Sequence, residues 1–153
     1  DLEYTDPVVD EIMFKSLQKR LELPTPTRGE YITLVFNNNV ANQDTTLGGM
    51  PDRHIICICN VSVDANGDGE LSLVESSSEE ATGCAIECLN RDLETQWHTA
   101  FRKEVISFPH TLTLKLDSPQ VITSVNIVPR QSAPKNGKPK DVSVFIDDVL
   151  VYE

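Results

Sequence analysis

Positive charge is scarce in this chain. Thirteen lysines and arginines stand against 24 aspartates and glutamates, a net charge of −11 over 153 residues. Nucleic acids and anionic membranes are recognised by clustered Lys and Arg, so this balance argues against both as partners. No apolar run approaches the roughly 20 residues that a membrane-spanning helix needs. Cysteine is sparse as well: Cys57, Cys59, Cys84 and Cys88 are spaced C-x-C and C-x-x-x-C. The paired C-x-x-C knuckles of a common zinc site are missing. Two disulfides in a secreted protein and four buried thiols in a cytosolic one both fit this set. No G-x-S-x-G nucleophile signature accompanies the three histidines His54, His98 and His110, and no other catalytic set stands out. Carboxylates are numerous enough to supply a glycosidase pair, but an acidic surface accounts for them, so the chain reads as non-catalytic. It begins at Asp1 with no visible signal peptide, as expected of a processed or excised chain.

What is present is mostly β-pattern. A chain of this length most simply makes one domain, with enough core to need no metal or disulfide for folding. One helix is predicted near the start. Asp6 caps it, Pro7 fits its first turn, and Val8, Val9, Ile12, Met13 and Leu17 recur at helical spacing. Arg20-Leu-Glu-Leu23 already alternates as a strand does, and Pro24 and Pro26 break the pattern. Strand-like runs then follow at Glu30–Phe36, His54–Val63, Thr111–Leu116, Val121–Val128, Asp141–Ile146 and Val149–Tyr152. Turn signals sit between them at Gly48-Gly49, Gly67, Gly69, Gly83 and Asn136-Gly137. Short strands at this spacing predict a β-sandwich or barrel.

The stretch D-A-N-G-D-G-E-L-S-L-V-E, Asp64 to Glu75, fits the twelve-residue loop of an EF-hand. Asp64, Asn66 and Asp68 stand at positions 1, 3 and 5, a Gly at position 6, and Glu75 at position 12. An EF-hand needs a flanking helix on each side, and here a β-rich run precedes the loop and the loop-like Ser76–Gly83 follows it. A dockerin reading fails for the same reason and for want of a second copy. Two readings remain: a calcium loop within a β-protein, or an acidic turn whose Asp-Gly is chosen for positive φ.

Four further segments occur in order: S-S-S-E-E-A-T-G, L-N-R-D-L-E-T-Q-W-H-T, F-P-H-T-L-T-L-K-L, and I-V-P-R-Q-S with K-N-G-K-P-K-D-V-S-V-F-I. Together they resemble the discoidin domain, or coagulation factor V/VIII type C domain, and within it the family-32 carbohydrate-binding modules. The resemblance covers about half the chain. It implies a jelly-roll β-sandwich whose loops at one end hold a ligand. Residues 19–63 resemble the end of that family placed first, ahead of 76–153, which implies a circular permutation within a single domain at 1–153, with Asp64–Gly69 as the linker. Such rearrangement is tolerated where termini lie close together at the surface.

The resemblance also implies a site. Matched motif to motif, the sugar-binding set falls on His98, Phe101, Arg130 and Asn136, with Trp97 in the core. An aromatic ring stacks on a pyranose face, while Arg, Asn and His hydrogen-bond its hydroxyls. The loop Asn37–Met50 has no aromatic to add to this set. The family's calcium loop falls on Asn90, Arg91, Asp92 and Thr95, but Ile55–Val63 lacks the family's Glu ligand, which implies weaker calcium binding. The resulting expectation is an extracellular or cell-surface module, part of a larger protein, that binds galactose or N-acetylgalactosamine glycans and carries structural calcium. The competing expectations are an adhesion or protein-interaction discoidin domain without a sugar ligand, and a calcium-dependent spacer.

Overall fold

A computed structural model of the chain describes residues 17–40, 54–100, 108–131 and 137–153. The expected N-terminal helix lies outside these residues, as do Phe101 and Asn136. Seven strands occur in the described chain: β1 Lys19–Asn39, β2 Cys57–Ala65, β3 Leu71–Ser76, β4 Trp97–His98, β5 His110–Pro129, β6 Pro139–Ile146 and β7 Val149–Tyr152. All named pairings are antiparallel, in the order β4-β2-β5-β1-β6-β7, with β3 also on β5.

The long strands β1 and β5 organise the fold. They pair from Lys19↔Ile127 to Phe36↔His110, with register breaks between Glu22 and Thr27 and between Gly29 and Tyr31. The predicted break at Pro24 and Pro26 is the first of these. Proline has no N–H to donate to a ladder, so the strand continues through an irregularity rather than ending. Beyond the breaks the neighbours change. The first half of β1 and the second half of β5 lie beside β2, whereas their other halves lie between β6 and β3. The result is an all-β sandwich whose two layers share one long ribbon. At the second break Gly29 packs against β6, where a Cβ would stand 2.2 Å from Ile146 Cγ2.

Alternation fills the core. Leu21 and Leu23, then Ile32, Leu34 and Phe36 of β1 face Leu112, Leu114, Leu116, Val125 and Ile127 of β5 in one buried cluster. Trp97 is fully buried in it, with its ring 5.8 Å from that of Phe36, and its Nε1–H donates to the Ser78 carbonyl at 2.9 Å. The short 3₁₀ turn Ala85–Leu89 closes over this end and contributes Ala85 and Cys88 to the core. The two-residue turn from β6 to β7 places Asp147 and Asp148 at φ 47° and 66°, a tight-hairpin geometry that Asp tolerates.

Candidate functional site

The expected sugar-site residues are organised by the start of β2. His98 of β4 is the cross-strand partner of Cys57. On the other side of β2, the Arg130 N–H donates to the Cys57 carbonyl at 3.1 Å. The Cys57 N–H in turn donates to the Gly137 carbonyl at 2.8 Å, which fixes the chain next to Asn136. His98 and Arg130 thus flank one strand, with backbones roughly 10 Å apart, two strand spacings. Phe101 and Asn136 lie outside the described residues, but their neighbours Ala100 and Gly137 reach this same end. The Ala100 N–H donates to Ser78 Oγ at 3.0 Å, and Gly137 bridges Ile56.

Each of the two described residues is held differently. The His98 N–H donates to the Gly83 carbonyl, and its Nδ1 lies 2.7 Å from the Thr99 carbonyl, so the ring is oriented by backbone. Arg130 sits in the wall of an open cleft of about 510 Å³ with Gln131, Thr95, Gln96, Glu87 and Glu94. Its Nε is buried and has no hydrogen-bond partner among the described residues. Gln131 is anchored through the Leu17 backbone, at 2.7 Å and 3.0 Å. His98 is not in the wall of this cleft, so the two described sugar-site residues belong to one end of the sheet but not to one surface. Cys59 lies behind Arg130, with its thiol against the Leu93 carbonyl; burial raises its pKa.

The family-type calcium loop borders the same cleft through Thr95. Asp92 turns the chain here: its Oδ1 accepts the Glu94 N–H at 2.8 Å, and its carbonyl faces both the N–H and the hydroxyl of Thr95. Asn90 Nδ2 donates to Glu87 Oε2 at 2.8 Å. Arg91 takes a left-handed φ of 55° between them. Among the described residues, no group of three or more His, Cys, Asp and Glu is arranged to hold a metal ion.

The EF-hand-like pattern is spread out. Asp64 Oδ2 accepts from Ser124 Oγ and pairs with Arg20 Nη2 at 3.0 Å. Asn66 Oδ1 accepts the Val121 N–H at 2.8 Å. Asp68 Oδ1 accepts the Glu70 N–H and Gln120 Nε2, bonds that hold its carboxyl below the ordinary range. These side chains fasten the link between β2 and β3 to the bend of β5. Glu75 is not brought to them. It lies on β3 opposite Thr113, in a separate acidic cleft with Glu30, Asp147 and Asp148. Residues Leu71 to Glu75 run extended in β3, which puts roughly 13 Å of strand between Asp68 and Glu75.

Sequence reasoning did not single out the polar wall of the Arg130 cleft or strand β3. Gln96 and Gln131 stand in the quoted T-Q-W and P-R-Q segments but were given no role, and Leu71–Ser76 was absorbed into the calcium-loop pattern. The chain matches no protein-family model and none of the curated proteins.

Proposed function

We propose that the protein is a non-catalytic carbohydrate-binding module of discoidin type, taking a terminal galactose-type unit at the end of the sandwich where β2, β4 and β5 meet. The observation that carries this reading is Arg130. A guanidinium Nε buried without a partner costs about 1–3 kcal/mol, which a ligand acceptor in the cleft returns. Thr95, Gln96 and Gln131 add uncharged donors and acceptors around it, the groups that fix a sugar's hydroxyls in direction. His98, Ala100 and Gly137 border the same end. A permuted discoidin order is part of this reading, supported by the pairing of β1 with β5 and β6, which draws residues 19–39 into one core with 110–146. So are an extracellular setting and calcium at the Asn90–Thr95 loop.

The test is a calorimetric titration with galactose and N-acetylgalactosamine in calcium, run in parallel on Arg130→Gln. Saturable heat in the parent protein that disappears in the variant supports the reading. A folded parent protein that takes up neither sugar overturns it.

A further inference from the structure

The outer face of the β1–β5–β2 layer carries a polar lattice that the Arg130 site does not use. Alternation places Asn60, Ser62 and Asp64 of β2 on this face. Across the sheet, Ser62 aligns with Asn126 and Arg20, and Asp64 aligns with Ser124 and Glu22. An outward face is ordinarily wet, yet Asn60 is 4%, Asn126 3% and Ser124 0% exposed. Beside them opens a cleft of about 500 Å³, walled by Asn60, Ser62, Asp64, Asp68, Arg91 and Asn126.

Asn126 is the informative residue. Its Nδ2 lies 3.4 Å from Asp64 Oδ2, while its Oδ1 is buried and has no partner among the described residues. Buried polar atoms are nearly always paired, so an orphaned acceptor in a cleft wall calls for a donor from outside the chain. The surrounding charges decide what kind. Asp64, Asp68 and Glu70 repel an anion. A divalent metal meets Arg91 in the wall and finds Asp64 already neutralised by Arg20 at 3.0 Å. What remains is a neutral ligand that both donates and accepts. Amides, a hydroxyl, carboxylates and a guanidinium around the apolar strip of Val61, Val63, Leu71 and Leu89 suit a ring of hydroxyls.

We infer that this cleft is a second saccharide site, holding one neutral sugar ring by its hydroxyls and without aromatic stacking. The ligand class draws on the sugar-module reading above; the residues and the cleft are separate from it. Two separate sites let one module bridge two glycan chains, raising avidity without new contacts.

The test is nitrogen-15 NMR of the whole protein titrated with D-galactose, D-mannose and D-glucose. With at least one of them, the side-chain amides of Asn60 and Asn126 shift saturably. Asn126→Ala and, separately, Asn60→Ala each weaken that binding at least about tenfold, the loss of a hydrogen bond to a buried partner. His98→Ala leaves it unchanged. Shifts confined to Arg130 and its neighbours keep the first site and overturn this one, whereas shifts confined to Asn60 and Asn126 do the reverse. Absence of any saturable shift, undiminished binding in both Asn variants, or the same amides responding to calcium chloride in place of sugar also overturns it.

Discussion

Gly137 anchors the end of the sandwich where the sugar site is proposed, and replacing it by alanine tests that anchoring quantitatively. The residue has φ 86°, and a Cβ would stand 2.7 Å from Cys57 Sγ and 2.9 Å from Cys57 Cβ. Holding Ala in the left-handed region costs about 1–2 kcal/mol. Forcing a methyl group into a filled space adds about 1–3 kcal/mol. The sum, about 2–5 kcal/mol, lowers the melting temperature of a domain this size by roughly 4–20 °C. Urea unfolding followed by fluorescence measures the loss, because Trp97 is the only tryptophan and is fully buried. The contact part is separable from the backbone part. Cys57→Ala removes the nearest atom, so the double variant Cys57→Ala/Gly137→Ala loses less than the sum of the single variants, by at least about 0.5 kcal/mol. A loss below about 1 kcal/mol in Gly137→Ala, or strict additivity in the cycle, refutes the reasoning.

Three other outcomes follow from the same structure. Trp97→Phe keeps most of the ring volume but strips the Ser78 carbonyl of its donor, so stability falls by about 1–3 kcal/mol in urea unfolding followed by circular dichroism; an unchanged midpoint contradicts the bond's role. Burial holds the His110 pKa below its ordinary value; the bond to the His54 carbonyl opposes this and the His54 charge assists it. The unfolded chain therefore takes up a proton first, so stability is full above about pH 6.5, falls as pH drops toward the folded pKa, and levels below it. His110→Gln flattens that slope, and an equal slope in the variant contradicts the assignment. Finally, Cys57, Cys59 and Cys88 are buried, and burial pushes the Cys88 thiol up to about 12, so iodoacetamide labels Cys84 first in the folded protein. Mass mapping of early label on Cys88 contradicts that order.

The strands were the legible part of the sequence. Leu112, Leu114 and Leu116 alternate with polar residues, and period-two burial follows directly from that pattern. The proline pair in β1 does mark a register break, but the paired strand β5 carries the ribbon through the irregularity, which a local breaker cannot show. Asp64–Glu75 misled. Its spacing fits a chelating loop, but Leu71, Leu73 and Glu75 find ladder partners on β5, and this pairing carries Glu75 away from Asp64. Nothing in the intervals between residues 57, 98 and 130 shows that folding places His98 and Arg130 on either side of Cys57. The orphaned atoms of Arg130 and Asn126 are tertiary facts: a sequence shows an Arg or an Asn, but not whether folding leaves it a partner.

The central claim is that the Arg130 cleft receives a sugar, and crystals of the protein grown with saturating galactose test it directly. The account predicts one sugar ring in that cleft with an oxygen within hydrogen-bond distance of Arg130 Nε. An empty cleft in such crystals, or a ring bound at that end without contacting Arg130, contradicts it.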